Sequence, residues 1–223
     1  MIITGGVFMK WGTVVDLKKC IGCCGCVIAC KTEHFLPPKI MRIRMITFET
    51  GKFPDIKKHQ YPVQCNQCED AACVDVCPMG ATTKRADGIV TVDPDKCVGC
   101  QHCIVACPYQ QRVCFYGEHK EYFPGQGRTE YEDIGDLLFP YQDGTVIKCD
   151  YCRERVDAGL QAGLKPGGDR DATPACVNGC MVRARHFGDL DDPESEVSRL
   201  IRDRGGYCLN PEFDAKPSVF YID

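Results

Sequence analysis

The alternation of apolar and polar positions along the chain predicts short strands and single-turn helices. Gly12 to Leu17 reads as a strand, and Thr82 to Arg85 and Ile89 to Val92 read as a hairpin turned by Ala86-Asp87-Gly88. Helical patterning is confined to Ala71 to Cys77, Ile104 to Cys107 and Glu194 to Arg204, the last with a polar start at Asp192 and Pro193. The segments 31–64, 108–148 and 153–175 are expected to be irregular insertions, broken by Pro37-Pro38, Gly125, Gly127 and Pro166-Gly167-Gly168. No shift in composition marks a linker, so residues 1–223 are expected to form one compact unit.

Composition sharpens this picture. Leu, Ile, Val and Phe number only 51 of 223 residues, a thin supply for an ordinary hydrophobic core. With 27 basic and 31 acidic side chains there is too little imbalance to argue for nucleic acid as a partner. No apolar stretch is long enough to span a bilayer, so no direct membrane span is expected. The opening MIITGGVFM is apolar but short, lacks a basic leader and a twin-arginine pair, and reads as neither signal peptide nor span; Met9 is a candidate start.

The outlier is cysteine, 19 residues in all. A density of this kind belongs to short secreted disulfide scaffolds, which this chain does not resemble, and the odd count also disfavours pairing. Sixteen cysteines fall into four runs: Cys20, Cys23, Cys26 and Cys30; Cys65, Cys68, Cys73 and Cys77; Cys97, Cys100, Cys103 and Cys107; and Cys149, Cys152, Cys176 and Cys180. Every run ends with the same x3 step. In a C-x2-C-x2-C run the backbone turns tightly enough for three thiolates to reach one iron-sulfur cube, and the x3 step opens a helix that aims the fourth at a second cube. Pro78 and Pro108 then stop the helix, and Gly22, Gly25 and Gly99 let backbone amides approach the sulfides. Zinc sites also use C-x2-C pairs, but they have no use for the third and fourth cysteines at these spacings. No G-x-G-x-x-G, P-loop, H-E-x-x-H or G-x-S-x-G occurs, so no catalytic residue is expected in this chain.

The order of the four runs, the segment CNQCEDAACVDVCPMGAT with DGIVTVDPDKCVGCQHCIVACPYQ, the stretch Gly188 to Pro193 and the closing VFYI resemble the four-cluster iron-sulfur subunit of molybdopterin oxidoreductases. The resemblance spans Gly12 to Ile222. It implies an α+β fold: two ferredoxin-like halves with pseudo-two-fold symmetry, loop-rich and organised around four 4Fe-4S clusters. One half comprises residues 10–64 and 145–223, the other 65–144. Ligation is implied to cross between runs. Cys20, Cys23, Cys26 and Cys180 hold one cluster, Cys30, Cys149, Cys152 and Cys176 a second, Cys65, Cys68, Cys73 and Cys107 a third, and Cys77, Cys97, Cys100 and Cys103 a fourth.

The resemblance implies a relay of electrons, in either direction, between a molybdopterin-containing (molybdenum or tungsten) catalytic subunit and a membrane-anchor, cytochrome or other redox partner. The spatial order, by analogy, runs from the catalytic subunit to the Cys20 set, then the Cys30 and Cys77 sets, and ends at the Cys65 set. A free-standing polyferredoxin carrier, a structural scaffold and a subunit of another redox complex such as a hydrogenase stay open as alternatives. The resemblance implies a soluble subunit of a membrane-associated complex, either cytoplasmic or exported together with its partner.

Other residues receive plainer expectations. Cys24, Cys114 and Cys208 belong to no run and read as small apolar fillers, although Cys24 lies beside Cys23 and is a reserve ligand. His34 and His102 read as packed or solvent-facing. Lys31 either tunes the Cys30 cluster or is simply solvated, and Arg183 and Arg185 either offset cluster charge or meet a partner. The acidic stretch Asp189 to Glu196 reads as the lead-in and first turn of the terminal helix.

Overall fold

Strand β1, Trp11–Asp16, is buried at all six positions because both of its faces are covered. Along the chain there follow α1 (Gly25–Glu33), β2 (Ile43–Thr50), β3 (Lys57–Gln64), α2 (Ala72–Asp75), β4 (Thr82–Lys84), β5 (Val90–Val92) and α3 (His102–Val105). The remainder comprises β6 (Val113–Cys114), α4 (Glu130–Leu138), β7 (Val146–Ile147), α5 (Arg153–Gln161), α6 (Ala175–Asn178), β8 (Arg185–Asp189), α7 (Glu196–Asp203) and β9 (Val219–Ile222). The computed structural model describes residues 9–117 and 121–223; the apolar opening, residues 1–8, lies outside them.

The largest sheet joins the two ends of the chain. β1 lies between β8, which runs antiparallel to it, and β9, which runs parallel. Trp11 and Val15 face a core shared with Phe187, Val219 and Tyr221, while Val14 faces Val197 of α7 and Ile222. Each such aliphatic side chain contributes roughly 1.5–3 kcal/mol when fully buried. Helix α7 starts where Ser195 accepts a hydrogen bond from the Ser198 amide, so the acidic stretch is divided: Asp189 ends β8 and Glu196 opens the helix.

Cysteine contributes to that first core and to a separate one. Cys65 and Cys149 pack with Tyr151, and Cys26, Cys30 and Cys176 pack with Leu36, Ile43 and Phe115. The thin apolar supply is thus concentrated where thiols must be kept from water. The result is a small α+β fold of ferredoxin-like type, with β4 and β5 forming the expected hairpin.

Three expectations need correction, because the insertions are structured. Segment 31–64 contains the β2–β3 ladder, eight paired positions long. Its alternation is obscured because Ile46 and Phe48 of β2 are both exposed, and because Pro62 interrupts β3. The proline is tolerated since its position faces away from β2: its carbonyl accepts from Tyr221 Oη at 3.2 Å. Segment 108–148 contains β6, β7 and α4, the last started by a capping box between Thr129 and Glu132. Segment 153–175 contains α5, which follows Cys152 directly. The short helices also sit differently in sequence: the one expected over Ile104 to Cys107 begins at His102, and that over Ala71 to Cys77 shrinks to α2.

Candidate metal centres

One backbone device recurs in all four runs. In each C-x2-C turn the residue before the second cysteine has positive φ: Gly22 at 66°, Gln67 at 47°, Gly99 at 64° and Tyr151 at 58°. The left-handed residue reverses the chain so that both thiols point into the same hollow. Glycine is demanded at 99, where a Cβ would stand 2.0 Å from the carbonyl oxygen of Gly144. Gln67 and Tyr151 are held in that conformation by long-range bonds. Gln67 donates to the Cys149 carbonyl at 2.7 Å and accepts from the Val90 amide at 2.8 Å, and Tyr151 Oη donates to the Ser218 carbonyl at 3.2 Å.

A second device sets the x3 step. Cys26, Cys73, Cys103 and Cys176 are each the second residue of a short helix, α1, α2, α3 and α6 respectively. The run's last cysteine lies one turn further, and it leans toward a different run.

The cysteines gather accordingly. A cavity of about 280 Å³ is lined by Cys65, Cys68, Cys73 and Cys107, three from the second run and one from the third. A smaller hollow is lined by Cys77, Cys97, Cys100 and Cys103, the reciprocal combination. Among the first and fourth runs Cys26 has Cys176, Cys180 and Cys20 as charge neighbours, while Cys30 has Cys149 and Cys176, and Cys152 has Cys176 and Cys30. Cys23 and Cys100 are exposed, whereas Cys30, Cys149, Cys152 and Cys176 are all buried. Among the described residues no three or more His, Cys, Asp or Glu side chains stand close enough to hold a single ion.

Burial makes these thiols poor at ionising alone. Desolvation, reinforced by neighbouring thiols, pushes Cys68 and Cys149 up to about 12 and Cys30 and Cys152 well above the ordinary thiol value. A cationic metal centre is what such a set lacks, because coordination takes the proton's place. Cys77 differs: a small burial penalty is outweighed by amides, among them Thr82 N–H at 3.4 Å, and its thiol lies below the ordinary value. The donor chemistry and the hollows fit 4Fe-4S cubes.

Comparison with known proteins agrees. Residues 56–122 match the 4Fe-4S dicluster domain. A selenate reductase subunit of Mesobacillus selenatarsenatis is 38% identical over 222 residues, covering 96% of this chain and 72% of the relative. The arsenate respiratory reductase iron-sulfur subunit of Shewanella sp. (strain ANA-3) is 36% identical, covering 96% of both. A tetrathionate reductase subunit of Salmonella typhimurium is 30% identical, covering 96% of this chain and 72% of the relative. The chain belongs to the iron-sulfur subunits of molybdopterin oxidoreductases. As an iron-sulfur subunit of this family it serves electron transfer and carries 4Fe-4S clusters. None of its described helices is long and apolar enough to cross a membrane.

The remaining singled-out side chains of the iron-sulfur subunit are placed as follows in the fold. His34 is buried, with Nε2 3.2 Å from Cys152 Sγ, and burial lowers its pKa to about 3, so the ring is neutral. His102 is exposed, yet its Nδ1 is 3.2 Å from Cys100 Sγ. Both imidazoles therefore adjoin candidate ligands. Lys31 is half-buried: its Nζ donates to the carbonyls of Pro37, Pro38 and Ile40 at 2.5, 3.0 and 3.2 Å, and Cys30 is its charge neighbour. Arg183 is exposed, whereas Arg185 is buried. Cys24, Cys114 and Cys208 are half-buried, their Sγ atoms 3.7, 3.5 and 4.0 Å from the carbonyl oxygens of Gly22, Gly144 and Pro217.

Two residues of the site, Gln67 and Arg112, escape the sequence reading. Gln67 holds the place of Gly22 and Gly99 in its turn, and Arg112, five residues after Cys107, meets Cys73 only through the fold.

Proposed function

We propose that the subunit holds four 4Fe-4S clusters and relays electrons between a molybdopterin-containing catalytic subunit and a membrane-anchor or cytochrome partner, without catalysis of its own. Each cube, when bound, takes up and gives up one electron; the protein supplies thiolates, shields them from water and sets their spacing. The observation that carries this reading is the lining of the two hollows in the half spanning 65–144. Each collects three cysteines of one run and the last of the other, as crossed ligation requires. The corresponding neighbours in the half formed by 10–64 and 145–223 support the same pattern, and with it a pseudo-two-fold arrangement.

The proposed order of the sets departs from the order given by analogy. The Cys20 set meets the Cys30 set through Cys26 and Cys176. The Cys30 set meets the Cys65 set, since Cys149 and Cys65 are charge neighbours in one core. The Cys65 set in turn meets the Cys77 set across Arg112. Exposure favours the same ends: Cys23 and Cys100, the exposed ligands, fall in the first and last sets, and a relay must open to its partners there.

Two measurements test this reading. Protein prepared without oxygen is expected to contain about sixteen irons and sixteen acid-labile sulfides, four of each per cube. Gentle purification from the native host is expected to retain a large pterin-containing subunit. Stoichiometric zinc without labile sulfide would overturn the clusters, and a cluster-loaded monomer free of any pterin subunit at low salt would favour the free carrier.

A further inference from the structure

Two buried arginines occupy equivalent places in the two halves. Arg112 stands five residues after Cys107, and Arg185 five residues after Cys180, the last cysteines of the third and fourth runs. They are 6% and 3% exposed. Arg112 Nη2 lies 2.8 Å from Cys73 Sγ, Nη1 donates to Thr82 Oγ1 at 3.2 Å, and Cys103 is a further charge neighbour of the same guanidinium. Arg185 has Cys176 and Cys26 as its foremost charge neighbours, and its Nη2 donates to Gln64 Oε1.

The four cysteines these arginines face are the third of each run, one from each ligand set of the half. Among the described residues neither arginine pairs with a carboxylate, and Arg112 Nε and Arg185 Nε and Nη1 have no hydrogen-bond partner. An uncompensated buried guanidinium is costly unless negative charge arrives nearby. Thiolate-bound cubes bring that charge, and more of it on reduction. The fork of arginine can serve two sulfurs at once, which the single ammonium of lysine cannot.

We infer that Arg112 and Arg185 are bridging cations, each shared by the two clusters of its half and holding both reduction potentials up. The inference rests on the four-cluster reading above and goes beyond it by assigning the determinant of the potentials. Positive charge beside a cluster favours the state with the extra electron. Sharing one cation keeps the paired clusters close in potential, so that an electron is not trapped on either. Lys148, the other cation near Cys73, does not substitute for Arg112, because its ammonium is engaged by the carbonyls of Val90 and Cys149.

The test is a redox titration followed by electron paramagnetic resonance on the assembled complex, with iron and labile sulfide measured on each sample. Arg112→Gln is expected to move two of the cluster signals to lower potential, each by at least a tenfold change in the oxidised-to-reduced ratio at fixed potential, which is about 59 mV for one electron. Arg185→Gln is expected to move the other two. No shift, a single shifted signal, or overlapping pairs in the two variants would overturn the inference. Should Arg112→Gln lose iron, Arg112→Lys decides the matter: a single ammonium reaches one sulfur, so the two potentials are expected to separate, and unchanged potentials would refute the bridge. Wild-type protein without four cubes would instead refute the four-cluster reading itself.

Discussion

Substitution of Gly99 by alanine separates two costs that usually arrive together. The residue has φ of 64°, and a Cβ there would stand 2.0 Å from the Gly144 carbonyl oxygen. The left-handed conformation alone costs an L-residue roughly 1–2 kcal/mol, of which about 0.4–1 is returned by stiffening the unfolded chain. Gln67 and Tyr151 hold the same conformation in the equivalent turns, so that strain is bearable where there is room. At 99 there is none, and shifting backbone adds about 1–3 kcal/mol. Gly144 is the control, because it has φ of 75° and open space beyond its Cβ. Gly99→Ala is therefore expected to cost ~2–4 kcal/mol and Gly144→Ala ~1 kcal/mol or less. For a chain of this size each kcal/mol moves the midpoint by about 2–4 °C. Heating the cluster-loaded protein without oxygen at one scan rate, with the visible absorbance followed, should show Gly99→Ala failing roughly 5–15 °C early and Gly144→Ala within about 4 °C of the parent. If the two variants failed together, the carbonyl contact would not be the reason glycine is required.

Two further outcomes follow from the site. Cys30→Ser is expected to perturb the cluster signal assigned to Cys149, Cys152 and Cys176 and to spare that of Cys20, Cys23 and Cys26; paramagnetic resonance showing the reverse would refute crossed ligation. Asp150 pairs with Arg42 at 3.0 Å in surroundings where the two side chains are 15% and 9% exposed, so Asp150→Asn strips a buried cation of its carboxylate and is expected to cost up to about 3–5 kcal/mol. The double variant with Arg42→Met should recover most of that loss, and a single variant as heat-stable as the parent would show the pair to be inessential.

The spacing of the cysteines was by itself sufficient to announce the chemistry, because x2 and x3 are local distances that fix a tight turn and one turn of helix whatever surrounds them. The β4–β5 hairpin, β1 and α7 were legible for the same reason: Asp87-Gly88, a β-branched run and a polar start act within a few residues. What lies between the runs was not legible. The β2–β3 ribbon leaves large apolar residues exposed and carries Pro62, so its pairing is visible only once Tyr221 is seen to take the proline's carbonyl. The end-to-end sheet of β8, β1 and β9 joins segments that the sequence holds far apart, and no local pattern states that Thr13 will face both Phe187 and Val219. The meeting of Cys149 with Cys65 and the placing of Arg112 between Cys73 and Cys103 are likewise long-range. They depend on how segments distant in sequence pack together, which is a property of the folded chain and of no segment within it.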